Sequence, residues 1–277
     1  MSRASWSASL SVGLAAFASS GCASRPGGLE TLDATLWMQS SVEYAAVALQ
    51  SYRNAAEQLD LALSDTAWSA LLERTSGVGT LPPAVILDVD ETVLDNSAYA
   101  ARLIREGRRY EAASWSAWVE EASAPAVPGA IPFLRTARDR GVTVVFVTNR
   151  DALLEEATRR NLARVGFPPD TVPDVVLMRH EIPEWGSDKS SRRQHVAAGY
   201  RVLLLVGDDF NDFLPAHEDL ATRREMWNRH SERWGRSWIA LPNPTYGSWE
   251  SALTDHEREL PERERLQRKF ERLDPGT

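Results

Sequence analysis

Five short apolar runs limit what this chain can fold into: Ala84–Leu87, Val142–Val147, Asp174–Met178, Val202–Val206 and Trp238–Leu241. They stop at Asp88, Thr148, Arg179, Gly207-Asp208 and Pro242. Continuous runs rich in Val, Ile and Leu read as strands buried on both faces. Helical patterns lie between most of them, as at Ala130–Arg140 and Leu153–Val165. This alternation predicts an α/β fold: a mostly parallel sheet with helices on both faces. Ligands bind such sheets beyond the carboxyl ends of the strands. The residues that end each run are therefore where chemistry is expected.

The rest of the chain arranges itself around a core over residues 81–250. Residues 31–80 predict an N-terminal helical segment. Leu36, Trp37, Tyr44, Ala48, Tyr52, Ala55, Leu59 and Ala62 recur at helical spacing. That pattern fits one long helix or two broken ones, with a short helix at about 65–75 ahead of Ser76-Gly77-Val78-Gly79. An insert at about 96–129 holds Trp115 and Trp118. It would lie over the strand ends as a lid and, with the N-terminal helices, form a small helical cap. Residues 251–277 predict a charged helix with one face on the domain.

The first residues read as an address. Arg3 is the one charge among the first 24 residues, and the apolar run Leu10–Ala18 is too short to span a bilayer. Ser19-Ser20-Gly21 follows, so residues 1–21 fit an export signal and 22–30 a tether. Cys22 is the single cysteine of 277 residues, which excludes an internal disulfide and a Cys-rich zinc site. It stands where a bacterial lipoprotein signal carries its lipidated cysteine. Ser19 occupies a position that is usually aliphatic, and an ordinary cleaved signal is the other reading. The expectation is an exported chain, lipid-anchored to the bacterial envelope at the outer membrane. A net charge of −8 argues against a nucleic-acid polymer as partner. A small phosphorylated substrate needs only a local cationic pocket.

Asp88-Val89-Asp90-Glu91-Thr92 follows the first run, and Gly207-Asp208-Asp209-Phe210-Asn211-Asp212 follows the fourth. Carboxylates this close need a counter-ion, and a hard cation such as Mg²⁺ suits oxygen ligands beside phosphate. Thr148-Asn149 offers a hydroxyl, an amide and backbone N–H groups to an anion, and Lys189 offers a point charge. Taken singly, a D-x-D, a strand-end Thr-Asn or a lysine is ordinary. The ordered set Asp, Thr, Lys, Asp at strand ends is not.

This set is similar to that of the haloacid dehalogenase (HAD) superfamily of phosphohydrolases. Ile86–Asn96 (ILDVDETVLDN) resembles the first motif of class C, subgroup IIIB, acid phosphatases, the lipoprotein e(P4)-type nucleotidases. Trp37–Ala46, Trp115–Val119 and Leu241–Glu250 resemble their N-terminal helix, lid and C-terminal signature. The resemblance implies a HAD-like Rossmannoid sheet and Mg²⁺-dependent hydrolysis of phosphomonoesters, nucleoside 5′-monophosphates among them. It implies Asp88 as nucleophile and Asp90 as general acid and base, with a proton on Asp90 favoured by the neighbouring negative charge. Asp208 and Asp212 would join Asp88 and the Asp90 carbonyl at the metal, with Asp209 less defined. Thr148, Asn149 and Lys189 would hold phosphoryl oxygens. Trp115 and Tyr246 match an aromatic pair that sandwiches the leaving group, and a homodimer is implied. Trp118 reads as packing, Asp95 and Asn96 as capping or support, and Arg150 as a phosphate contact or a salt bridge.

Two rival functions use the same residue types. A phosphoacceptor receiver also gathers acidic residues, Thr and Lys around Mg²⁺, but it places its acidic pair first and has no D-x-D. An anchored binding protein could keep the pocket without turnover, yet every expected carboxylate is present. The R-H-G-x-R-x-P motif of histidine acid phosphatases is absent, so His180, His195, His217, His230 and His256 read as solvated or helix-end residues.

Overall fold

The computed structural model describes residues 29–74, 76–215, 217–257 and 260–276. The predicted signal, Cys22 and most of the tether lie outside them. Five parallel strands form one sheet: β1 (Pro83–Leu87), β2 (Thr143–Asp151), β3 (Val176–Arg179), β4 (Arg201–Gly207) and β5 (Trp238–Ala240). Their order is β3-β2-β1-β4-β5. The chain leaves β1 toward β2 and β3, then crosses back to β4 on the other side of β1. The resulting crevice, at the carboxyl ends of β1 and β4, is where this topology places a ligand. β4 is buried along its whole length, as its unbroken apolar run requires.

The N-terminal region forms α1 (Leu32–Ser40) and α2 (Val42–Ser64). The break falls at Ser41, which is extended and whose Oγ accepts the Tyr44 N–H at 3.0 Å, capping α2. The face of α2 carrying Tyr44, Ala48, Tyr52, Ala55, Leu59 and Ala62 is buried. The expected helix at 65–75 does not form. Asp65–Arg74 runs instead as irregular chain against β4, where the Ala70 N–H donates to Val202 O at 2.8 Å and Trp68 Nε1 to Leu203 O at 2.7 Å. Tertiary pairing there overrides the local helical pattern.

The insert folds as α3 (Ser97–Glu106) and α4 (Ala112–Glu120). α5 (Ala130–Asp139), α6 (Glu155–Arg164), α7 (Ser190–Gly199) and α8 (Leu220–Arg229) link the strands. The charged C-terminal stretch is not one helix. It holds α9 (Ser248–Leu253) and α10 (Glu262–Glu271), with Pro261 as N-cap of the latter. Among the described residues, no helix is long and apolar enough to cross a membrane.

Candidate active site

The site is built from strand ends. The Asp88 N–H donates to Val206 O at 3.0 Å, which ties the first residue after β1 to β4. Asp208 follows the last residue of β4, and Asp212 closes a tight turn. Asp209 Oδ1 accepts the Asn211 N–H and Asp212 Oδ2 accepts the Asp209 N–H, each at 2.9 Å. Asp209 is thus a capping residue, and its Oδ2 also takes the Ser248 N–H at 2.5 Å. The turn presses the Asp212 carboxylate onto Gly207 so closely that a Cβ there would collide with it.

Among the described residues, Asp88, Asp208 and Asp212 bring carboxylate oxygens within 4.8 Å of one another. Lys189, the N-cap residue of α7, is buried beside them. Its Nζ lies 2.6 Å from Asp88 Oδ1 and 2.6 Å from Asp212 Oδ1. One lysine cannot balance three carboxylates. Burial raises the Asp212 pKa to about 7, with the Asp88 charge adding to burial and Lys189 opposing it. Burial and the charges of Asp88 and Asp212 hold Asp208 well above the usual carboxylate range. Asp88 is raised by burial despite Lys189. For Lys189, burial works downward, and the Asp212 and Asp88 charges override it to raise the value. The surplus of hard oxygen donors fits a divalent cation such as Mg²⁺.

Asp90 faces a different environment. Fully buried Arg150 donates from Nε to Asp90 Oδ1 at 3.0 Å and Oδ2 at 3.2 Å, and from Nη2 to Oδ1 at 2.8 Å. Asn96 Nδ2 adds a bond to Oδ1 at 2.8 Å. Arg150 is therefore a salt-bridge residue, and Asp90 meets a cation as well as the negative neighbour expected from sequence.

Thr148 and Asn149 lie inside β2, not after it, because that strand shifts register and continues until Asp151 pairs with Arg179. Thr148 is buried, and its Oγ1 accepts the Arg150 N–H at 3.1 Å. The Asn149 side chain is occupied: Nδ2 donates to Ser187 O at 2.9 Å, and Oδ1 accepts Arg192 Nη2 at 2.6 Å. These contacts brace the site and use one of the two Nδ2 N–H groups. Arg192, unnoticed in the sequence, also donates to Thr148 O and Gly186 O. Its neighbour Arg193 holds Asn211 O at 3.0 Å and Asp212 O at 3.3 Å, fixing the Asp212 turn. Their signal was their position, one turn after Lys189 on α7.

Trp115 is half-buried against Tyr99, with ring centroids 5.2 Å apart, and Arg150 Cζ lies 5.7 Å from its ring centroid. The Tyr246 hydroxyl donates to Glu91 Oε2, while the residue stays 43% exposed. Glu91 is buried at φ 54°, and its Oε1 accepts the Asn96 N–H at 2.8 Å. Burial and the Asp90 charge raise its pKa to about 8. Glu91 was legible only as part of the acidic motif. Asp95, just before Asn96 at the N-cap of α3, accepts the Ser97 N–H at 2.8 Å. Asp208 is held by Thr92 Oγ1 at 3.0 Å and Asn243 Nδ2 at 2.8 Å.

The model of the HAD superfamily, subfamily IIIB (acid phosphatase), matches residues 10–249. The chain belongs to this family. The class C acid phosphatase from Bacillus anthracis superposes with a TM-score of 0.80 at 31% identity, over 90% of this chain and 99% of that one. Its crystal structure with tungstate bound gives 0.79 and 30%, with the same coverage. The Glycine max stem 31 kDa glycoprotein is 27% identical over 135 residues, 48% of this chain and 52% of that protein. Acid phosphatase 1 of Solanum lycopersicum is 28% identical over 139 residues, 47% of this chain and 51% of that protein. The chain spans about half the length of these curated relatives. In this subfamily IIIB chain, the five-stranded parallel α/β architecture is the HAD-like fold expected from the sequence.

Proposed function

We propose that the protein is a Mg²⁺-dependent acid phosphatase that hydrolyses phosphomonoesters through an aspartyl-phosphate, with nucleoside 5′-monophosphates as preferred substrates. The observation that carries the reading is Lys189 Nζ at 2.6 Å from both Asp88 and Asp212, within a carboxylate cluster at the β1 and β4 ends. Asp88 bonds to phosphorus as the bond to the leaving oxygen breaks. Asp90 gives that oxygen a proton, then takes one from the water that hydrolyses the intermediate. Lys189 and Thr148 face the charge on the transferring group. When bound by Asp88, Asp208 and Asp212, Mg²⁺ supplies charge neutralisation. Tungstate, a tetrahedral oxyanion like phosphate, is bound by the Bacillus anthracis relative and supports an oxyanion pocket.

Support for aromatic leaving groups comes from the partly exposed residue Tyr246 and from Trp115, since aromatic faces accept any base. The test is hydrolysis of p-nitrophenyl phosphate at acidic pH with Mg²⁺. Asp88→Asn and EDTA treatment are each expected to lower kcat by about 10³-fold or more. Activity that survives both overturns the reading.

A further inference from the structure

The two oxygens of Asp90 are not equivalent. Oδ1 accepts three hydrogen bonds, from Arg150 Nε at 3.0 Å, Arg150 Nη2 at 2.8 Å and Asn96 Nδ2 at 2.8 Å. Oδ2 accepts Arg150 Nε at 3.2 Å. The single Nε hydrogen is shared between the two oxygens, so Arg150 Nη2 and Asn96 Nδ2 fill the two lone pairs of Oδ1. Oδ2 keeps a lone pair for a proton.

Asn96 does this in one amide orientation only. Trp118 Nε1, a donor without acceptor capacity, bonds to Asn96 Oδ1 at 2.8 Å. With the amide turned over, the NH₂ group would face the indole N–H. The carbonyl oxygen would then face Asp90 Oδ1 and Glu91 Oε2, which now lie 2.8 and 3.4 Å from Nδ2. Asn96 is 3% exposed and Trp118 4%, so little water competes for these bonds. Trp118 comes from α4 of the insert and is itself fixed, stacked 6.3 Å from Tyr99 with Arg102 4.8 Å from its ring centroid. A tryptophan that reads as packing in the sequence thus sets the direction of an amide that touches the proposed general acid.

We infer that Trp118 and Asn96 are positioning residues for proton transfer, fixing Oδ2 of Asp90 as the oxygen that carries the proton to the leaving group. The inference rests on the phosphatase reading above. In the step, Asp88 bonds to phosphorus and the bond to the leaving oxygen breaks, its electron pair staying on that oxygen. The oxygen takes the proton from Oδ2. Asp90 is left as a carboxylate whose Oδ1 is held by Arg150 and Asn96.

A leaving group that departs readily as an anion, such as p-nitrophenolate, needs little of this proton, whereas an alkoxide needs it fully. Trp118→Phe keeps the apolar ring and removes the N–H. Asn96→Asp keeps the shape and replaces the donor by an oxygen. For both variants of the full chain, kcat/KM for an alkyl phosphate is expected to fall about tenfold or more. For p-nitrophenyl phosphate the fall is expected to stay below about threefold. Equal falls on the two substrates, or no fall on the alkyl phosphate, would overturn the inference. If Trp118→Phe does not fold, the same split in Asn96→Asp decides. A wild-type chain inactive on both substrates overturns the phosphatase reading itself.

Discussion

The two acidic halves of the site solve the same electrostatic problem differently. On one side, Asp88, Asp208 and Asp212 crowd together with a single buried lysine, which touches only Asp88 and Asp212, and are left with more negative charge than it can offset. On the other, Asp90 and Glu91 are each individually partnered, by Arg150 and Asn96 and by Tyr246 and Asn96. The first half is frustrated without a cation. The second is closed on itself by protein groups. A binding half stores the charge that recruits an ion, while a proton-handling half needs its donors fixed in advance.

The largest effect should come from removing the lysine. Lys189→Met leaves buried Asp88 and Asp212 without their cation. An unpaired buried charge of this kind costs about 3–5 kcal/mol. Activity should drop by about 10²–10³-fold, as when one transition-state donor is lost. Thermal unfolding in EDTA should show the full destabilisation, and saturating Mg²⁺ should recover part of it, because a ligand of the folded state stabilises it by mass action. A variant as stable as wild type in EDTA would refute the idea that the cluster is frustrated.

The pH dependence of stability separates the halves next. An unfolded Glu titrates near about 4.3 and an unfolded Asp near about 3.9, whereas folded Glu91 sits at about 8 and Asp212 at about 7. Between those limits the folded chain keeps protons that the unfolded chain has released. The contribution of these two groups to stability is therefore highest below pH 4, falls as pH rises, and carries its whole penalty above pH 8. Mg²⁺ should flatten the part due to Asp212 and leave the part due to Glu91. Glu91→Gln should do the reverse, with little loss at pH 6 and a relative gain at pH 9. Melting temperatures across pH, with and without Mg²⁺, measure both. A Glu91→Gln curve parallel to wild type throughout would rule out a protonated Glu91.

These halves also differ in how far the sequence exposes them. The five strands, the order Asp88, Thr148, Lys189, Asp208 and the long buried face of α2 follow from local patterning, since burial on both faces forces continuous apolar runs. What local patterning missed is made by long-range pairing. The 65–74 segment carries a helical pattern and still pairs with β4. Thr148 reads as a strand end, but Asp151 finds Arg179 and extends the strand. Arg150 reads as ambiguous because only the fold brings it to Asp90, 60 positions away. Trp118 meets Asn96 across 22 positions, and Tyr246 meets Glu91 across 155. No periodicity encodes such contacts.

Tyr246 offers the finest cut between the halves. Its hydroxyl is bound to Glu91, and burial with the Glu91 and Asp90 charges keeps it protonated far above the ordinary tyrosine range. The residue remains partly exposed. Tyr246→Phe removes the hydroxyl alone, leaving Glu91 Oε2 with Asn96 Nδ2 at 3.4 Å. The lost bond should cost about 1–2 kcal/mol of stability. It also frees the ring to move. If that ring is a wall for the leaving group, KM for a nucleoside monophosphate should rise about three- to tenfold, part of a stacking contact worth about 1–3 kcal/mol. KM for a small alkyl phosphate and kcat for both should change little, because the hydroxyl touches neither Asp88 nor the carboxylate cluster. An equal rise in KM for both substrates would mean that the tyrosine shapes the pocket as a whole. A fall in kcat confined to the alkyl phosphate would place its influence on Asp90 through Glu91 and Asn96, extending the proton-handling half to the C-terminal loop.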